Sequence, residues 1–393
     1  MLICFSTAGI LLETVYRNNW QAESVFCRFH ICASKQLIER AANRRLEVTP
    51  EAAALGWQES REALRRDPAF ALRWCDVGES LLSVGEHGQA AYAFRRAVEL
   101  APNSPPILLR AANYHWRMEH PDDALRLSSH ILELIRDYDA VIFLLYSRSG
   151  VPAGELLRRG VPRDAAAAQA FFQSLLAGGT TDAVREAWLW LGSQGYATDR
   201  LAASYLDFLL ARRLYSDAVE TWAAYRRDPS YPEKNRISNG GFEAEFSGAR
   251  LDWVPSKLEH VREERDGRVA YTGNWSLRLT FDGTTNLNYA GISQVAVLSP
   301  GTWRVRARIR VDGITTDRGL SLRVFDPESS SRLDVRTAPV TGSTEWLPVE
   351  IAFQVPQATK LVQVQLFREP SWKFDNKIAG TAWVDAVELT PVR

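Results

Sequence analysis

Arg304, Arg306, Arg308 and Arg310 stand two residues apart and alternate with Trp303, Val305, Ala307 and Ile309. A β-strand sends successive side chains to opposite faces, so the four guanidiniums must share one face. Arg323, in a run with Ser321 and Phe325, is expected on a neighbouring strand, and Gln363 and Gln365 are candidates for the same face. Planar guanidiniums make paired hydrogen bonds to carboxylate or phosphate, so such a face could grip an acidic polysaccharide. The alternative is a solvated strand face neutralised by neighbours such as Glu350 and Asp334. A second candidate is the turn-rich stretch from Arg368, with Trp372, Phe374, Asp375, Asn376 and Lys377. Aromatic rings beside amide and charged groups suit contact with a sugar or a peptide. Equally, Trp372 and Phe374 could cap the end of a core.

Catalytic signatures are missing from the sequence. It has no G-x-S-x-G elbow, H-E-x-x-H, P-loop or dinucleotide G-x-G-x-x-G. A glycosidase needs two carboxylates held roughly 5–10 Å apart in a cleft, and no segment suggests a fold that would place them. The chain is therefore expected not to be an enzyme. The six His are scattered, none at metal-ligand spacing. Cys4, Cys27, Cys32 and Cys75 all lie in the first fifth of the chain, so no disulfide framework spans it. Cys27 and Cys32 flank His30 without a second pair, and ordinary thiols are expected there rather than zinc.

The elements that must position these residues fall into two halves. Residues 37–228 are rich in Ala, Leu and Arg with helical periodicity, whereas 239–393 are rich in Val, Thr, Gly and Arg with strict alternation. Between them, 229–238 is expected to be a linker, in a stretch carrying Pro229, Pro232, Gly240 and Gly241. Helices first and strands second predict a multi-domain α-then-β chain. Residues 1–36 differ from the rest of the chain and are poorly defined. Their apolar run, Leu2–Leu12, is too short to span a membrane and has only the length of a signal-peptide core.

Within the helical half, Trp74, Val77, Gly78, Leu81, Ala90, Phe94, Ala97 and Pro102 form a spaced set. Small residues at 78 and 90 let two antiparallel helices approach, large ones at 74 and 94 fill the gap to the next pair, and Pro102 stops the second helix. Thirty-four residues on, Leu108, Ala111, Ala112, Ala124 and Ile131 repeat the register; thirty-four back, Ala63 and Pro68 do. Ala183 with Ala187, and Ala218 with Trp222, look like further second helices. Between Ser147 and Arg163 the pattern is broken by Gly and Pro. This half resembles tetratricopeptide repeats, which implies an α-solenoid of helical hairpins whose concave groove holds a protein partner. The positions that would line the groove are Cys75, Glu79, Leu82, Leu109, Asn113 and Trp116. Leu109 and Trp116 could instead pack on an adjacent helix.

The second half opens on Asn239, Gly241, Phe242 and Glu243, followed by Trp253. Then come Gly273 with Ser276 and Leu277, Pro300-Gly301 with Trp303, Thr344 with Trp346, and Trp383-Val384-Asp385. This ordered set resembles the CenC-type carbohydrate-binding modules (families 4 and 9) and the wider galactose-binding-like jelly rolls. The resemblance covers nearly all of 239–393 and implies an antiparallel β-sandwich that binds a poly- or oligosaccharide. It also implies, for some relatives, a structural calcium, with Glu243 and Asp385 as the carboxylates to name. Ala386 departs from the pattern, since many relatives carry two acidic residues there. Period-two alternation over Leu277–Phe281, Trp303–Ile309 and Val362–Leu366 independently predicts a two-sheet sandwich. Trp253, Trp275, Trp303, Trp346 and Trp383 are expected mostly in the core.

The 47 basic residues balance the 47 acidic ones, so no overall field favours nucleic acid or an acidic membrane. The expected function is a non-catalytic adaptor: a solenoid docking a protein and a sandwich binding a glycan, with acidic glycans among the candidates. By analogy of architecture, that suits a bacterial envelope or periplasm, or exopolysaccharide assembly. The alternatives are a structural scaffold without sugar binding and an accessory subunit of a polysaccharide-processing enzyme.

Overall fold

The computed structural model describes residues 34–47 and 49–392. The thiols expected at Cys4, Cys27 and Cys32, and most of the 1–36 segment, lie outside them. The chain divides into two compact units, one ending at Tyr196 and the other beginning at Ala197.

The described residues of the first unit form helices and their connections: α1 Ser34–Leu46, α2 Pro50–Arg66, α3 Ala71–Ser83, α4 His87–Leu100, α5 Pro105–Arg117, α6 Pro121–Leu134, α7 Asp139–Arg148, a short α8 Ala153–Glu155, α9 Ala165–Gly178 and α10 Thr181–Gln194. The sequence sets the helix starts. Thr49, Asp164 and Thr180 accept N–H bonds from the first turns of α2, α9 and α10, and Pro50, Pro105 and Pro121 open α2, α5 and α6. Successive helices pack as antiparallel hairpins. At Gly78 an added Cβ would lie 2.7 Å from the Phe94 ring, so only glycine lets α3 and α4 close to this distance. Phe94 then stacks on Tyr114 of the next hairpin, centroids 4.6 Å apart. The 34-residue period also appears in ion pairs: Arg45 meets Glu79 at 3.4 Å and Asp76 meets Arg110 at 2.8 Å. Where the period breaks, α8 runs into one π-helical turn at Leu156–Gly160, pinned by the Tyr146 hydroxyl donating to Gly160 O at 2.6 Å.

The second unit begins with a helical hairpin, α11 Asp199–Ala211 and α12 Tyr215–Arg226, followed by nine strands. They are β1 Val261–Asp266, β2 Ser276–Asp282, β3 Tyr289–Val297, β4 Gly301–Ile314, β5 Ser321–Phe325, β6 Asp334–Arg336, β7 Gly342–Val355, β8 Leu361–Arg368 and β9 Ala379–Pro391. They form a five-stranded sheet, β1-β2-β9-β4-β7, and a four-stranded sheet, β3-β8-β5-β6, with every pairing antiparallel. Inward residues of both sheets, among them Leu277, Leu279, Val305, Ile309, Leu322, Val364, Leu366 and Val384, make one core.

The division at 196/197 differs from the boundary expected at 229–238. The last hairpin belongs with the sandwich, and the stretch expected as a linker is packed. Ile237 is in the sandwich core. Asn235 donates to Val387 O at 3.0 Å, and Ser238 accepts from the buried Trp222 indole at 3.0 Å. Its prolines and glycines make a turn against the sheet, which composition alone does not distinguish from a free tether.

Candidate functional site

The four ladder arginines share the outer face of the five-stranded sheet, as alternation requires, because Val305, Ala307 and Ile309 point inward. Their environments differ. Arg306 is held by Glu388 on β9, with Nε and Nη2 both on Oε2 at 2.8 and 2.5 Å. Arg310 lies 5.5 Å over the Trp383 ring and 3.6 Å from Glu345. Arg308 has no hydrogen-bond or ion-pair partner among the described residues; its guanidinium lies 4.8 Å over the ring of Tyr271. Arg304 likewise has none. Glu350, expected as a neutraliser, is in register with Arg306, but Glu388 makes the contact.

Aromatic rings complete this face. Tyr271, 42% exposed, leans over it from the β1–β2 connection, 5.8 Å from Trp346 on β7. Trp383 on β9 is in register with Arg310 and with Arg278 of β2. Trp346 and Trp383 are half-buried rather than core, and Trp275 is exposed and sits under Arg265. Only Trp253 and Trp303 of the five pattern tryptophans are buried. Parity carried the signal: Trp346 falls in step with the outward Pro348 and Glu350, and Trp383 with Thr381.

Arg323, Gln363 and Gln365 do not join this face. Their strands β5 and β8 belong to the four-stranded sheet, on the opposite side of the sandwich. Arg323 makes two bonds to Asp334, 2.8 and 2.7 Å, and lies over the rings of Phe325 and Phe367. Gln363 donates to Ser293 at 2.9 Å, and Gln365 is buried opposite Arg323. The chain crosses from one sheet to the other between β4 and β5, and local alternation carries no information about such a crossing.

The β8–β9 loop presents Trp372 at 94% and Phe374 at 100% exposure, so neither caps the core. Asp375 and Lys377 are exposed and Asn376 half-buried. The loop's base is rigid. The buried Arg368 guanidinium donates to Arg318 O (2.9 Å), Asn376 O (3.1 Å), Thr316 Oγ1 and Asn286 Oδ1 (3.2 Å each), and Leu287 O. Ser371 is tied to Asp317 at 2.6 Å. Two aromatic rings are thus held in water on a fixed support.

Glu243 and Asp385, named for calcium, form a hydrogen-bonded clamp on the β1–β2 connection. Asp385 Oδ2 accepts from Tyr271 N at 2.8 Å and Thr272 N at 2.9 Å, and its Oδ1 from Ala386 N at 2.6 Å. Glu243 Oε1 accepts from Asn274 N and Trp275 N. Three of the four carboxylate oxygens therefore face N–H donors. Among the described residues no group of three or more His, Cys, Asp and Glu could hold a metal. The donor set does not fit the oxygen-rich cradle that calcium requires. Burial is the largest influence on the Asp385 carboxyl and pushes its pKa up, partly countered by those three N–H bonds. The Asn239 motif has a related role: its side chain exchanges two bonds with Ala244, closing the turn that seats Phe242 against Trp253.

In the helical unit, Glu79 is bound by Arg110 (2.7 Å) and Arg45 (3.4 Å). Cys75 is fully buried and so does not line a groove; burial pushes its thiol up to about 12. Leu82, Leu109, Asn113 and Trp116 are half-buried, and Trp116 packs edge-on to Tyr146 of α7, two helices on, with ring centroids 6.5 Å apart. Among the described residues, no helix is long and apolar enough to cross a membrane.

No protein-family model matches the chain, and no curated protein does. Among solved structures, a family-61 carbohydrate-binding module in complex with β-1,4-galactotriose is 18% identical, with a TM-score of 0.29; the match covers 41% of this chain and all of that one. The CBM22-1 xylan-binding domain of Xyn10C from Paenibacillus barcinonensis is 15% identical, TM-score 0.29, over 39% of this chain and 92% of that one. A family-16 carbohydrate-binding module is 16% identical, TM-score 0.30, over 40% and 99%.

Proposed function

We propose that the second unit is a non-catalytic saccharide-binding module whose site is the outer face of the five-stranded sheet, and that its ligand carries carboxylate or sulfate groups. One observation carries this reading: Arg308 lies over an exposed tyrosine with no acid partner, beside Trp346 and between two arginines that carboxylates do engage. Sugar rings stack on such aromatic faces, and a guanidinium left unpaired is available for an anionic substituent. The exposed Trp372 and Phe374 support a second reading, in which a neutral sugar stacks on the β8–β9 loop. The helical unit, read as tetratricopeptide-like hairpins, would then dock a protein, making the chain an adaptor.

The test is isothermal titration of the full chain with oligogalacturonate and with neutral xylohexaose, at low and high salt. The expected result is salt-sensitive oligogalacturonate binding, weakened at least about tenfold in Arg308→Ala and in Tyr271→Ala. Salt-insensitive xylohexaose binding that is lost in Trp372→Ala moves the site to the loop. No binding of either, with the protein folded, leaves the scaffold reading.

A further inference from the structure

In the helical unit, α2, α3 and α4 line an open cleft of about 570 Å³. That is within the roughly 300–1,000 Å³ range of ligand pockets. Its walls are Trp57, Leu64, Trp74, Leu81 and Tyr92. Trp74 is fixed in place: its indole donates to Pro68 O at 2.9 Å, and its ring meets Tyr92 edge-on at 5.9 Å. The aromatic wall is therefore formed in advance, with Tyr92 half exposed. The cleft opens on the face of α3 that carries Trp74, Val77 and Leu81. At about 100° per residue, that face is turned away from Glu79 and Leu82.

The rim of the cleft is basic. Arg61 and Arg65, one turn apart on α2, line it, and no Asp or Glu does. Both are exposed, and neither has a hydrogen-bond or ion-pair partner among the described residues. Arg95, outside the lining, lies 5.5 Å over the Tyr92 ring and likewise has no ion pair among the described residues. Neighbouring arginines are matched: Arg66 with Glu62, Arg96 with Glu99, Arg73 with Asp76. Unpaired cations thus collect where the apolar wall is exposed.

We propose that this cleft captures a short acidic amphipathic peptide segment of a partner protein. Apolar side chains would seat against Trp57, Trp74 and Tyr92, while Asp or Glu carboxylates engage Arg61 and Arg65. The apolar walls favour a peptide over a nucleic acid, whose phosphates need cations along a track rather than an aromatic pocket. This docking site is separate from the saccharide face and does not depend on it.

The experiment pans a phage-displayed library of random 12-residue peptides on the full chain. Enriched clones are then measured as fluorescein-labelled peptides by polarisation. The expected clones carry two or more Asp or Glu around Leu, Phe or Trp. Their affinity should fall at least about tenfold in an Arg61→Glu, Arg65→Glu double variant and recover in part when the peptide's acids are changed to Lys. Both arginines are exposed, so circular dichroism should show that variant folded. Clones without acidic residues, clones indifferent to the charge reversal, or no enriched clone at all overturn the proposal. So does displacement of bound clones by a synthetic peptide of residues 1–33, which would assign the cleft to this chain's own N-terminus.

Discussion

Asp385→Ala removes a carboxylate that accepts three backbone N–H groups at 2.6–2.9 Å. Hydrogen bonds to a charged group contribute about 1.5–3 kcal/mol each, so the gross loss is roughly 5–9 kcal/mol. Two effects reduce it. The carboxylate is fully buried and its desolvation already offsets part of the gain. The freed amides of Tyr271 and Thr272 lie on an exposed connection and can bond to water. A net destabilisation of about 2–4 kcal/mol remains. For a unit of this size that is a fall of roughly 5–12 °C in the melting midpoint. Differential scanning calorimetry of the full chain, repeated with EDTA and with added calcium, is the assay. Wild type should be indifferent to EDTA. A midpoint unchanged by the substitution, or a wild-type loss under EDTA that calcium restores, refutes the clamp and returns the pair to calcium. Acidity gives a second check. Burial holds the Asp385 carboxyl above its ordinary 3.8, so the fold favours the protonated form. Stability from this group is full below about 3.8 and is lost as pH rises through the raised value. Asp385→Asn does not titrate, so wild type should gain on it as pH falls from neutral towards 4.

Gly78→Leu should destabilise the helical unit by about 1–3 kcal/mol through overpacking on Phe94. That exceeds the roughly 1 kcal/mol of helix propensity gained over glycine; a urea melt followed by far-ultraviolet circular dichroism measures it. Cys75, its thiol pushed up to about 12, should resist iodoacetamide at pH 8 in the native state and react once unfolded. Peptide mapping by mass spectrometry reads this directly, and prompt native labelling of Cys75 contradicts the buried environment. Arg368→Met should leave the carbonyls of Leu287 and Asn376 without their donor, while Arg318 O keeps the Thr316 hydroxyl, costing about 2–3 kcal/mol. It should also expose residues 369–378 to limited proteolysis; a loop as resistant as in wild type would show that its support lies elsewhere.

Periodicity made much of this architecture legible. The 34-residue spacing of Gly78 to Ala112 and of Ala90 to Ala124 reflects helix contacts, which are local and leave a local pattern. Alternation placed the arginines of β4 on one face for the same reason. What failed was non-local. Arg323 looked like a neighbour of the ladder because it follows it in sequence, yet the β4–β5 connection changes sheets. The proline-rich stretch 229–238 looked like a tether because composition records turns but not what packs over them. Tyr271 left no sequence signal as part of the face, because a loop outside any periodic segment carries it there.

The bulge on β9 links the clamp to the proposed binding face. Register places Asp385 directly across from Arg308, where a carboxylate would ordinarily neutralise the guanidinium. The register shifts between Arg306 and Arg308, and Ala386 adopts φ +50 there. Asp385 is buried and gives its oxygens to the amides of residues 271 and 272 instead. Arg308 thereby loses its acid and gains the ring of Tyr271. One distortion thus both fixes the loop and leaves the cation available. Saccharide affinity and the thermal midpoint should therefore fall together in Asp385→Ala, whereas Arg308→Ala should lower affinity alone. Titration of both variants beside their melting curves separates a coupled device from two unrelated features: if Asp385→Ala melts early but binds oligogalacturonate as tightly as wild type, Tyr271 does not form the site.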